Sequence, residues 1–187
     1  VALACGGGGG SSATNAAGDT AIKVGVISIV DVAPIYLGVS KGFFKEQHLD
    51  VSLETAQGGA AIVPGVMSGQ FQFGFSNTIS LLLAQSQGLP VKVVSSGNAS
   101  TGELGKDFGA VVVKADSPIR TTADLAGKKV AVNTLKNINT TATINEVVRQ
   151  AGGDPSKIQY VELAFPDIAA AVAKGDVDAG QVVEPFL

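Results

Sequence analysis

The chain holds one histidine, His48, and one cysteine, Cys5, which leaves little for a nucleophile with its base and makes an internal disulfide impossible. A catalytic triad needs a nucleophile, a base and an orienting group within hydrogen-bond reach. A nitrogen–sulfur metal site needs several His or Cys ligands. The aspartates and glutamates show no paired arrangement that would divide acid and base work; counting alone leaves a carboxylate-only metal site open. Binding chemistry is better supplied. Gln57-Gly58-Gly59 joins an amide side chain, donor and acceptor at once, to two glycines that let a ligand approach backbone N–H groups. An ordinary strand-to-helix turn is the plainer reading of the same residues. Ser76-Asn77-Thr78 is a second polar turn, where one residue caps a helix and the others can face a ligand. Residues 134–141, reading TLKNINTT, put hydroxyls and N–H groups at the head of a helix, a setting that suits an oxyanion. The candidates there are Thr134, Asn139, Thr140 and Thr141, with capping by Asn139 or Thr140 as the alternative. Asp31 either steadies a helix start or sets ligand charge. Tyr36 either packs in the core or stacks on a ligand. Glu184 is a carboxylate just past a strand.

These residues stand at the ends of short apolar segments. Residues 23–30 read as a strand apolar on both faces, as buried parallel strands are. A helix follows from Pro34, with Ile35, Val39 and Phe43 as its core stripe. Residues 51–55 alternate as a second strand, Pro64 and Gly65 make the following helix of small residues short or irregular, and Phe71, Phe73 and Phe75 make the apolar face of a third strand. A helix over 78–87 and a strand over 91–94 close this half. Three strand-end loops on one edge of a parallel sheet make a crevice lined by backbone N–H groups. Further on, 109–114 is an apolar run and Thr121 to Asp124 matches a capping box. A strand over 129–132, a helix over 140–150 with Ile144, Val147 and Val148 inward, a strand over 158–163, a helix over 166–174 and a strand over 177–183 follow.

Composition excludes several functions. Hydrophobic residues make up 45% of the chain and charged ones 16%, with net charge −3 and a pI near 5.1, so there is a core but no basic field for nucleic acid. No apolar run is long enough to span a membrane. At the start, Val1-Ala2-Leu3-Ala4-Cys5 resembles the end of a bacterial lipoprotein signal, in which the cysteine becomes lipidated. Ala2 and Leu3 depart from its preferred order. Five glycines and SSATNAAGDT follow, small and polar, as in a flexible linker.

Taken together, Gly38 to Gln47 (GVSKGFFKEQ), Gln57-Gly58-Gly59, Gly69 to Asn77, Ala123 to Val132 (ADLAGKKVAV) and Val183-Glu184-Pro185-Phe186 resemble the solute-binding proteins of bacterial ABC importers. The subgroup is that for nitrate, sulfonate, taurine and thiamine-precursor uptake. The resemblance implies an α/β, two-lobed, type II periplasmic-binding-protein-like fold whose second lobe is incomplete at Leu187. It divides the chain into 1–20, a signal remnant, lipidation cysteine Cys5 and linker; 21–109, a first lobe; and 110–187, part of a second lobe. It implies a lipid-anchored, extracytoplasmic receptor that holds a small polar or anionic organic solute between lobes and docks on ABC permease subunits, with no cofactor. It also places residues 134–141 and Glu184 toward the solute. Two other functions use this fold: a pyrimidine-precursor synthase, whose active-site His and Cys find no counterpart among the loop ends here, and the effector domain of a transcription regulator, which needs a DNA-binding segment ahead of it.

Overall fold

Val24, Gly25 and Val26 are all buried, which requires cover on both faces of the strand that carries them. A computed structural model describes residues 2–5, 14–103, 105–133, 135 and 138–187, with the backbone alone at 2–5, 60 and 138–140. It divides into two units, Val1–Ala99 and Ser100–Leu187. In the first, strands β1 (Ala2–Cys5), β2 (Thr20–Val26), β3 (Leu49–Thr55), β4 (Phe73–Phe75) and β5 (Val91–Ser95) form a sheet in the order β3-β2-β4-β1-β5. Helices α1 (Ala33–Ser40), α2 (Gly59–Met67) and α3 (Thr78–Ser86) connect them. β2 is parallel to β3 on one side and to β4 on the other. Successive crossovers from β2 therefore leave in opposite directions, and a crevice opens at the carboxyl ends of these strands.

Both faces of β2 are covered as its burial requires. Val24 and Val26 pack with Val32, Ile35 and Phe73 on one face. Gly25 meets Ile62 and Phe71 on the other. β2 ends at Val26, not at the expected residue 30, because Val26 pairs with Thr55, the last residue of β3, and the ladder has no partner beyond it. Residues 30–32 form a single 3-10 turn instead.

Three expectations about packing change. Phe71 does not share a face with Phe73 and Phe75: it lies before β4 and is buried against α2, whereas the other two belong to the α1 side. Phe43 is 57% exposed, and Phe44 takes the inward place against Gly38. The turn after α1 rotates the chain off the helical period. Val147 is 39% exposed while Ile144 and Val148 are buried. The expected flexible linker through residue 20 is ordered at its end: Asn15 Oδ1 accepts from the N–H groups of Ala17 and Asp19, and its Nδ2 donates to Asp50. Ala2–Cys5, expected as a signal remnant, pairs antiparallel with both β4 and β5.

The second unit repeats the connectivity of the first. Strands β6 (Gly109–Val113), β7 (Lys129–Val132), β8 (Gln159–Glu162) and β9 (Ala179–Val183) lie in the order β6-β9-β7-β8, with helices α4 (Ile138–Gln150) and α5 (Phe165–Lys174). β7 pairs in parallel with β8 and β9, as β2 does with β3 and β4. Ile62, Val66, Gly69, Phe71 and Gly74 are spaced as Ile168, Val172, Gly175, Val177 and Gly180. Each set makes the same joint: a helix presses an Ile and a Val onto a strand glycine, and a left-handed glycine ends the helix turn. The capping box holds as well. Asp124 accepts from the backbone of Thr121 and Arg120 at 2.8 and 2.9 Å, and these bonds keep its carboxyl below the usual aspartate range.

A Cβ at Gly180 would stand 2.2 Å from Ile168 Cγ2. Gly180→Ala should therefore overpack this joint and destabilise the protein by about 1–3 kcal/mol, read from urea unfolding midpoints. An unchanged midpoint would show that α5 moves off the sheet at no cost.

Candidate functional site

The polar loops of the first unit meet at the start of α2. Gly58 is extended (φ −177°, ψ 166°) and buried, and α2 begins at Gly59 with no side chain capping it. A Cβ on Gly59 would lie 2.7 Å from Ser76 Oγ and 3.0 Å from Ser76 Cα. The bare glycine thus lets the helix start against the end of β4. Ser76 is 7% exposed, and its Oγ is buried without a hydrogen-bond partner. The cap of α3 is Asn77, whose Oδ1 accepts from the N–H of Ser80 at 2.8 Å. Ser76 is therefore free of capping duty, and the structure resolves the choice that the sequence left open.

Asp31 does not cap a helix through its side chain. Asn98 Nδ2 donates to its Oδ1, while Oδ2 is buried with no partner. Tyr36 lies on α1 and is 42% exposed, so it is not a core residue. Gln57 and Thr78 are exposed at the two loops.

His48 and Cys5 lie at the other pole of this unit. His48 precedes β3, whose seven residues span about 20 Å, while Gln57-Gly58 follow it. The His48 ring stands 3.4 Å from Asp19, away from the loops. Cys5 pairs with Val91, the first residue of β5, and Ala4 with Phe73, the first of β4. The described loop ends therefore bring together amides, a hydroxyl and a carboxylate, without a thiol or an imidazole. Among the described residues no group of three His, Cys, Asp or Glu is placed to hold a metal.

The second unit supplies fewer of the expected contacts. Thr134 lies outside the described residues. α4 starts at Ile138, two residues before the expected position, so Asn139 and Thr140 sit inside its first turn and neither is the cap. Their side chains are outside the description. Thr141 is half-buried, and Tyr160 OH donates to Asn145 Oδ1 at 2.8 Å beside it. Burial pushes the Tyr160 phenol up to about 12. Glu184 is exposed, and its N–H donates to Phe108 O at 2.8 Å, which holds the end of β9 to the start of β6. Two polar groups were not expected. Gln181 Oε1 is buried without a partner, and Glu162, ending β8, accepts from the N–H of Leu135 at 2.7 Å. Glu162 could have been found as a polar residue at a strand's carboxyl end, the same signal that marks Gln57.

A family model described as NMT1/THI5 like matches residues 29–185, which takes in both units. The chain belongs to the NMT1/THI5-like family. Two curated relatives illustrate its range. The 4-amino-5-hydroxymethyl-2-methylpyrimidine phosphate synthase of Aspergillus parasiticus is 32% identical over 79% of this chain and 41% of its own length. The taurine-binding periplasmic protein of Escherichia coli is 31% identical over 76% of this chain and 42% of its own length. The chain thus spans about two fifths of the length of these relatives. The crystal structure of the periplasmic aliphatic sulphonate binding protein SsuA from Escherichia coli superposes with a TM-score of 0.60 at 23% identity, covering 89% of this chain and 55% of that one. The fold is that of the periplasmic binding proteins, and the chain corresponds to part of it.

Within the NMT1/THI5-like fold, Ser76 carries a buried, unpaired hydroxyl. A buried hydroxyl without a partner costs stability, and its removal should recover about 1 kcal/mol in the ligand-free protein. Ser76→Ala is therefore expected to raise the unfolding midpoint, whereas Asn77→Ala, which removes a used cap, should lower stability by about 1 kcal/mol. Equal losses in both variants would show Ser76 to be an ordinary structural serine.

Proposed function

We propose that this chain is the solute-binding portion of an extracytoplasmic receptor for an ABC importer, and that it binds a small polar or anionic organic solute without transforming it. One observation carries the proposal: Ser76 Oγ is buried and unpaired against the glycine-opened, uncapped start of α2. Backbone N–H groups and the positive end of a helix suit a ligand oxyanion, and a hydroxyl donor completes the seat. Gln57, Gly58, Gly59 and Thr78 belong to the same seat. Asp31 and Tyr36 are the first unit's other candidates, and Thr134, Asn139, Thr140, Thr141 and Glu184 are the second unit's. The Escherichia coli relative named for taurine and the sulphonate-binding structure support the solute class.

The synthase relative supports a second reading, an enzyme acting on a pyrimidine precursor. The position of His48 and Cys5 at the far pole weighs against it.

A thermal-shift panel separates the two. Sulfate, methanesulfonate, taurine and pyrimidines are tested on wild type and on Gly59→Ala, whose Cβ would intrude on Ser76 Oγ. A bound solute at a hundred times its Kd should stabilise wild type by about 2.7 kcal/mol and leave the variant unmoved. A melting point insensitive to the whole panel, with turnover of a pyrimidine, would overturn the receptor reading.

The proposal includes a lipid tether at Cys5; it requires Ala2–Cys5 to leave the sheet in which the strand pairs with β4 and β5, so that the Gly-rich stretch can let the domain stand off the membrane. The full-length protein expressed with its leader should partition with membranes, and Cys5→Ser should release it to the soluble fraction. Equal partitioning of both would remove the tether from the proposal.

A further inference from the structure

Residues 55–91 contain no aspartate, glutamate, lysine, arginine or histidine. This stretch takes in α2, β4, α3 and the polar turns at both ends of β4's crossovers, so the seat at Ser76 is made of neutral groups alone. Its donors are dipoles. Ser76 Oγ is buried without a partner, and α2 starts with neither a capping side chain nor an acidic residue in its first turn. The N–H of Ala61 donates to Gly58 O at 3.0 Å, which leaves those of Gly59 and Ala60 without an intrahelical partner.

The cations of the first unit are placed elsewhere. Lys23 pairs with Glu54 at 3.1 Å. Lys92 stands in register with Ala4, and Lys41 and Lys45 precede β3, all toward the pole of Cys5 and His48. Asp31, which follows the neighbouring strand β2, is an acid and no counter-charge for an anion. The corresponding helix of the second unit, α5, is arranged otherwise. Pro166 removes an N–H from its start, and Asp167 already supplies a carboxyl to its first turn. Of the two equivalent helices, only α2 has an open and charge-free start.

The charge of the ligand follows from this. A helix N-terminus is worth roughly half a positive charge. Its attraction for an anion grows in proportion to the anion's charge, whereas the cost of taking the anion out of water grows with the square of that charge. A helix end and a hydroxyl can offset one negative charge. For a second the cost outruns the gain unless a cation is at hand, and residues 55–91 hold none.

We infer that the Ser76 seat selects its ligand by charge state: it takes an oxyanion with a single negative charge, such as a sulfonate or a singly ionised phosphate ester, and rejects the doubly charged form. The inference rests on the oxyanion seat of the proposed function and adds to it the protonation state of the solute.

Methanesulfonate, sulfate and methyl phosphate are titrated into the full-length protein by calorimetry at pH 5 and pH 8, at one ionic strength. Methanesulfonate is singly charged at both and serves as the reference for any titration of the protein itself. Methyl phosphate loses its second proton near pH 6, so about one molecule in a hundred is singly charged at pH 8. Relative to methanesulfonate, its affinity should fall about a hundredfold from pH 5 to pH 8, and sulfate should be weaker by about tenfold or more at both. Thr78→Lys, which places a cation at the exposed edge of the seat, should improve sulfate about tenfold against methanesulfonate. Methyl phosphate affinity that holds at pH 8, sulfate equal to methanesulfonate, or a folded Thr78→Lys no better for sulfate would each overturn the charge selection and leave the seat standing. Absence of methanesulfonate binding, or an affinity unmoved by Ser76→Ala, would remove the seat and the inference with it. If Thr78→Lys does not fold, the pH comparison on wild type decides alone.

Discussion

The structure depends on how closely two helices approach their sheets. Ile62 sits where a side chain on Gly74 would have to be, and Ile168 does the same over Gly180. Glycine at these strand positions removes the Cβ layer that otherwise holds a helix away from a sheet. In the first unit this contact has a consequence for the site. It draws α2 down far enough for its first residue to touch Ser76 at the end of β4. A larger residue at Gly74, Gly25 or Gly59 would push the helix start away, and the amides and hydroxyl would no longer converge.

Hydrogen-bond accounting separates scaffold from site. Most polar groups at the loop ends are used: Asn77 in a cap, Asn15 and Asp124 in turns, Tyr160 on Asn145. Against that background, a buried Ser76 Oγ and a buried Asp31 Oδ2 without partners stand out. Stability alone does not favour keeping such groups, because apolar residues of similar shape would avoid the desolvation penalty. They follow adjacent parallel strands, β4 and β2, at the point where the crossovers diverge. The carboxyl ends of these strands therefore carry an unpaired hydroxyl and an unpaired carboxylate oxygen, and the opposite ends carry His48 and Cys5.

The two units are variations on one joint. The equal spacing of Ile62 to Gly74 and Ile168 to Gly180 could have been read directly from the sequence as an internal repeat, yet it is easily missed because so few residues are identical. What recurs is a physical need: an Ile and a Val one helical turn apart, a glycine in left-handed conformation to reverse the chain, and a glycine beneath the helix. Where the repeat differs, the site differs. Gly58-Gly59 precede α2, whereas Ala164 precedes α5 with Phe165 as its first residue, so the second unit has no glycine-opened helix start at this place.

Much was determined by the sequence alone. Strand and helix order, the polar turns at 57–59 and 76–78, the capping box at Thr121 to Asp124 and the poverty of catalytic side chains all follow from local pattern and composition. These features depend on period, backbone restriction and residue count, which neighbours in sequence suffice to express. Other features were settled only by tertiary packing. β2 stopped at Val26 because β3 ended beside it, and Phe71 parted from Phe73 because α2 covered it. Phe43 yielded its place to Phe44 because Gly38 admits the latter's ring. Asn77 took the cap and Ser76 was left unpaired, a division of labour invisible in the string Ser-Asn-Thr. The reason is common to all of them: a side chain's role is set by which groups from distant segments reach it first, and that depends on the approach of a helix to a sheet, which no local pattern contains.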